Sequence, residues 1–174
     1  MRASVRLLLP LLLLALAPVA ATAQAPADTA VVLELVTADG QRLALRAADW
    51  ARLPQQTVRA ADPGGPGHAP IRGAFTGVPL RALLTRMGVP EGPALRGAAL
   101  RAYLVAEASD GYVAVFALPE LDPGFTRDPV IVADRRDGAR LNEHEGPLRI
   151  LAPADGRPAR WVRDVVRLTL HRLP

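Results

Sequence analysis

Alternation of apolar and polar residues with a period of two marks the start of the folded region. Val31–Val36 reads as a strand, Thr37-Ala38-Asp39-Gly40 as a turn and residues 41–46 as the return strand. In that return strand Leu43 and Leu45 share one face, and Arg42, Ala44 and Arg46 share the other. Residues 47–53 read as a short helix with Trp50 turned inward, and residues 55–60 as a further strand. Residues 62–67, Asp-Pro-Gly-Gly-Pro-Gly, read as a stiff, irregular loop. The clearest helix covers residues 79–87. There Leu80, Leu83, Leu84 and Met87 form one apolar stripe, Pro79 suits the first turn and Gly88 the stop. Residues 89–99 form a Pro/Gly/Ala loop. A hairpin follows, with strands over 101–108 and 112–117 and Asp110-Gly111 as a type I′ turn signal. Leu118–Leu121 reads as a helical turn. Residues 129–133, 148–152 and 165–171 are the last strands, separated by turns at Asp137-Gly138 and Asp155-Gly156. In the final strand Val166, Leu168 and Leu170 are expected inward, with Arg167, Thr169 and His171 outward. Short strands with one strong helix and no internal repeat predict a mixed α+β fold, strand-rich and a single domain.

Upstream of this region the pattern changes to one apolar run. Arg2 and Arg6 form a basic start, residues 7–20 are apolar with breaks at Pro10 and Pro18, and Ala21-Thr22-Ala23 is an A-x-A site. The run falls short of the ~20 residues of a spanning helix. Residues 1–23 therefore read as a cleaved secretory signal peptide, cut after Ala23, with residues 24–30 as a flexible lead-in and 31–174 as the domain. The two leader arginines are not adjacent, so the leader is Sec-type rather than twin-arginine. The expected location is periplasmic or secreted, with no membrane attachment after cleavage.

Composition removes several chemistries. All 21 basic residues are Arg, against 17 acids. With Arg2 and Arg6 in the leader, 19 remain, so the sequence pI of about 10.8 reflects the pKa of arginine more than excess charge. The arginines are spread along the chain and form no stripe for nucleic acid. The chain has no Cys, hence no thiol nucleophile, thiolate ligand or disulfide. It has no Lys for a Schiff base. Ser109, in a tight turn, lacks the G-x-S-x-G setting of a hydrolase. His68, His144 and His171 are far apart and form no metal-binding pair, and Glu143-His144-Glu145 reads as a solvated polar loop. No catalytic residue and no metal ligand is selected.

Two arginines stand out as candidate binding residues. Arg160, beside Trp161 and close to Arg163, reads either as a solvated flank of a core tryptophan or as part of a clamp for a phosphate or carboxylate. Arg149, in Gly146-Pro147-Leu148-Arg149, has the same two readings.

Taken in order, the segments resemble the molybdopterin-binding domain of the sulfite oxidase family. Gly77-Val78-Pro79-Leu80-Arg81-Ala82-Leu83-Leu84 matches its G-V-P-L-x-x-L-L element. Asp110-Gly111-Tyr112 matches a D-G-Y turn, and Ala133 to Leu141 a strand and turn of the form A-x-x-x-(N/D)-G-x-x-L. Gly146 to Pro153 matches G-P-L-R-I-x-x-P, and Arg160-Trp161 precedes the terminal strand. The resemblance covers roughly residues 70–171. It implies a sulfite-oxidase-type fold, a molybdenum–molybdopterin cofactor and oxygen-atom transfer or related redox. It places Arg149 and Arg160 near that cofactor. It also implies a cysteine ligand to molybdenum near residues 56–62, where this chain has Thr57, Val58, Arg59, Ala60 and Ala61. The reading is therefore an exported domain that is not a redox enzyme by itself, binds no cofactor, and takes a small anionic ligand or a partner protein. A molybdopterin-dependent oxidoreductase or its subunit, and an unrelated envelope or adhesion module, are the alternatives.

Overall fold

The structure is a computed structural model that describes residues 30–64 and 70–174. The proposed leader and His68 lie outside these residues. Ten strands and two short helices follow one another: β1 (Val31–Val36), β2 (Arg42–Arg46), α1 (Ala47–Ala51), β3 (Gln56–Asp62), β4 (Ile71–Pro79), α2 (Leu80–Arg86), β5 (Ala102–Ala108), β6 (Val113–Ala117), β7 (Ile131–Arg136), β8 (Ala139–Arg140), β9 (Arg149–Leu151) and β10 (Val165–Arg172). Single 3-10 turns at Gly92–Ala94, Gly97–Arg101, Leu118–Leu121 and Pro158–Arg160 punctuate the connections. The first two of these lie in the stretch read as a plain loop.

The strands form two five-stranded sheets. The first has the order β2-β1-β10-β5-β6, with β1 and β10 parallel and the other pairs antiparallel. The second runs β3-β4-β7-β8, and β9 pairs with β7 beside β8. Leu35, Leu104, Phe116 and Leu168 from the first sheet, Phe75 and Ile150 from the second, and Leu80 and Leu83 from α2 are all buried in one apolar cluster. Trp50 is inward, as its position in α1 implies.

Three local expectations change. In β10 the register shifts between Val165 and Arg167. This bulge puts Val165 in the core at 1% exposure and leaves Val166 39% exposed, reversing the parity expected for Val166. Asp110-Gly111 is not a type I′ turn, because only Gly111 has positive φ (85°). Gly111 N–H donates to Ala108 O, and Ala108 N–H donates to Tyr112 O. That is a three-residue loop, a type I turn closed by a left-handed glycine. Asp137-Gly138 does have two positive φ values, 50° and 83°, and joins β7 to β8 as a I′ turn.

The largest departure is β4, nine residues long where no strand was expected. Gly73, Gly77 and Pro79 weaken its strand signal, and tertiary fit explains the first two. A Cβ on Gly73 would stand 2.8 Å from the Arg136 Cγ. One on Gly77 would stand 2.0 Å from Val132 O and 2.4 Å from the Ala133 Cα, where the β4–β7 register shifts. Pro79 ends the strand and leads directly into α2, whose first residue donates its N–H to Val130 O at 2.9 Å. Gly146 is equally constrained. Its φ is +76°, and a Cβ there would lie 2.5 Å from the Asp164 Cα.

On the outer face of the first sheet four charges alternate across the strands. Arg42 bonds Glu34 at 2.7 Å, and Arg167 bonds Glu34 at 2.6 Å and Glu107 at 3.0 Å. Arg167, then Arg42, hold the Glu34 carboxyl below the usual carboxylate range.

Two predictions follow from this packing. Gly77→Ala is expected to lose about 4 kcal/mol or more of stability, or to fail to fold, because the added methyl meets backbone; urea denaturation measures the loss. Glu34 binds its proton less readily folded than unfolded, so its contribution is present above its ordinary pKa of 4.5 and is lost as pH falls through the lower folded value. Glu34→Gln is therefore expected to flatten the acid limb of a melting-temperature profile below about pH 5, and an unchanged limb would refute this.

Candidate functional site

Two of the arginine environments can be built outward from β9 and the 155–161 segment. Glu145 is not in a solvated loop. Its N–H and that of Gly146 turn back on Asn142, which carries the Glu145 side chain inside. There it accepts from Arg136 Nη1 at 2.9 Å and Arg149 Nη1 at 3.3 Å. Arg149 and Glu145 have side chains only 4% and 5% exposed. The Arg149 guanidinium lies 5.9 Å from the Trp161 ring centre, and Trp161 Nε1 donates to Ala152 O at 2.8 Å. Burial makes Arg149 easier to deprotonate than an ordinary arginine, and Glu145 opposes that effect. Arg149 Nε and Glu145 Oε2 are buried with no hydrogen-bond partner among the described residues, as is Asp134 Oδ1 nearby on β7.

Arg160 is committed differently. Its fork donates to Asp155, Nε to Oδ2 at 2.9 Å and Nη2 to Oδ1 at 2.6 Å. Nη1 reaches both Glu120 oxygens at 2.8 Å. The guanidinium also sits 4.8 Å from the Phe116 ring centre and 3.4 Å from Val115 O. Asp155 foremost, with Glu120, raises its pKa above that of a free arginine. Both arginines singled out from sequence are thus held by acids of the chain itself, Arg149 under the surface and Arg160 along β6. Trp161 is in the core, at 5% exposure.

A different pair is open. β3 and β4 place Arg59 opposite Ala74 and Arg72 opposite Ala61 on one outward face. With Gly73 and Asp137 these residues line a shallow cleft, wide open to solvent, of about 420 Å³. Arg59 and Arg72 are exposed, and neither side chain has a hydrogen-bond or ion-pair partner among the described residues. Asp137 is occupied: its Oδ1 accepts from Ala74 N–H at 2.9 Å and its N–H donates to Ala74 O at 2.8 Å. The cleft therefore sets two guanidinium groups against the single Asp137 carboxylate, a net positive charge over a floor of small side chains that suits a carboxylate or other oxyanion. The period-two exposure of Thr57, Arg59 and Ala61 was available in the sequence. Arg72 was not legible, because its strand was not.

The donor set can be tested against molybdenum. The thiolate implied by the resemblance belongs on the segment that is β3. Its residues from Gln56 to Asp62 include no soft donor, and Ala60 is turned inward. A carboxylate or amide does not replace a thiolate on such a metal. Among the described residues no three His, Asp or Glu side chains gather to hold a metal ion. The residues present do not fit the metal.

No family model and no curated protein matches the chain. Among solved structures it is similar to the crystal structure of the sulfane dehydrogenase SoxCD from Paracoccus pantotrophus, with a TM-score of 0.61 and 23% identity. The match covers 80% of this chain and 37% of that one, so this chain spans well under half of its neighbour's length. The fold is sulfite-oxidase-like.

Removing one partner of the buried pair has a calculable cost. Glu145→Ala leaves the Arg149 charge buried without its carboxylate and is expected to lose about 3–5 kcal/mol. Glu145→Ala with Arg149→Met is expected to recover part of the loss in the same denaturation experiment.

Proposed function

We propose that this chain is an exported, non-catalytic domain that has kept a sulfite-oxidase-like fold and uses it for binding. Its ligand is a small anion or an acidic group on a partner protein, received in the cleft between Arg59 and Arg72. The observation that carries this reading is the division of the arginines. Arg149 and Arg160, the positions expected near a cofactor, are neutralised by Glu145, Asp155 and Glu120. Arg59 and Arg72 have no such partner among the described residues. The lack of a thiolate on β3 supports binding rather than molybdenum redox. Delivery by a Sec-type leader is part of the proposal, since that route threads an unfolded chain.

The second reading is a molybdopterin-dependent oxidoreductase or a subunit of one, favoured by the fold match to SoxCD. Elemental analysis separates the two. Protein purified after expression with molybdate is expected to contain no stoichiometric molybdenum, and its denatured extract no pterin fluorescence. Molybdenum near one atom per chain would overturn the proposal.

A further inference from the structure

The sheet edges are in different states. β6 is partly covered: Arg160 reaches Val115 O, Ala117 N–H donates to Glu120, and the Tyr112 hydroxyl just before the strand donates to Ala159 O in the Pro158–Arg160 turn. β8 has only two residues, and β2 has five and runs straight into α1. β3 has seven residues and pairs with β4 on one side. Among the described residues no other backbone hydrogen bond reaches it. Free N–H and C=O groups along a strand of this length are a template for a further strand.

Side chains on that edge specify the sign of the incoming strand. Thr57, Arg59 and Ala61 are exposed on the outward face, and Arg72 stands on β4 opposite Ala61. Arg59 and Arg72 are therefore diagonal neighbours, roughly 7–8 Å apart at their bases. Ala61 is the small residue between Arg72 and the open edge, which lies about 4.8 Å per strand away. A long arginine stem crosses that distance over a methyl group. Thr57 is already bonded to Thr76 at 2.8 Å, so the two arginines are the cations left to meet a visitor, and they outnumber the one Asp137 carboxylate beside them.

We propose that the β3 edge receives an extended acidic segment of a partner protein. The segment adds as a strand, with carboxylates at alternate positions meeting Arg59 and Arg72. This rests on the binding reading above and names the partner class for the same cleft.

The test uses the chain from Gln24 to Pro174 and a labelled ten-residue peptide in which valine and glutamate alternate. Controls carry lysine for glutamate, or N-methyl groups on the odd or on the even residues. Fluorescence anisotropy reads affinity, and amide exchange by NMR reads protection of residues 56–62. The glutamate peptide is expected to bind and to slow exchange on β3. The lysine peptide and one of the two N-methyl peptides are expected to bind at least tenfold more weakly. Arg59→Glu and Arg72→Glu are each expected to weaken binding at least tenfold, and Arg86→Glu on α2 to leave it unchanged. The Arg59→Gln/Arg72→Gln double variant, with its melting temperature checked, guards against a folding defect. Absence of peptide binding, or equal binding by both N-methyl peptides, would overturn strand addition. Saturation of the cleft by inorganic sulfate without peptide binding would also overturn it, while leaving the small-anion reading intact. Molybdenum analysis reports separately on the parent proposal.

Discussion

The pairing of β10 between β1 and β5 is the contact on which the first sheet depends. β1 and β2 are local neighbours, and so are β5 and β6, but neither pair touches the other. β10 supplies the middle of the sheet and arrives last in the sequence. The Arg167–Glu34 bond spans 133 positions along the chain, and Arg167–Glu107 spans 60. Such contacts are formed at a high loop-closure cost and slow the folding of sheet proteins. The bulge at Val166 lets one strand satisfy both neighbours while keeping Val165, Leu168 and Leu170 in the core.

The second sheet is governed by close approach instead. Backbone of β4 and β7 meets where Gly77 lacks a side chain, and the loop before β9 approaches Asp164 at Gly146. Both glycines lie in the short elements on which the sequence resemblance rests. Their reason here is steric and independent of any cofactor. Glycines at such positions are required by packing alone, whatever chemistry the surface carries.

Elements with strict periodicity were legible from sequence. β1, the return strand β2, the Leu80/Leu83/Leu84 stripe and the β5–β6 pairing all appear where the pattern puts them. Segments whose residue choice answers to a distant partner were not. β4 was hidden by glycines that face β7 and Arg136. Glu145 read as a surface acid because its hydrophilic neighbours say nothing of Arg136 and Arg149. Arg149 and Arg160 were found as unusual positions, but their partnership with Glu145, Asp155 and Glu120 depends on loops that only the fold brings together. Arg59 was visible and unremarked, since an exposed arginine on a strand gains meaning only from an empty neighbourhood.

The cover that Arg160 places over β6 bears on self-association. A chain with an open edge on each sheet can join its copies head to tail, and such joints do not close, so they grow into fibres. With Val115 O and Ala117 N–H taken by Arg160 and Glu120, β6 offers the exposed β3 of another copy fewer free backbone groups. Two copies can still meet β3 to β3 about a two-fold axis, which consumes both edges at once and stops. The Asp155–Arg160–Glu120 cluster, silent as a ligand site, thus occupies backbone groups on one edge of the first sheet that another strand would need.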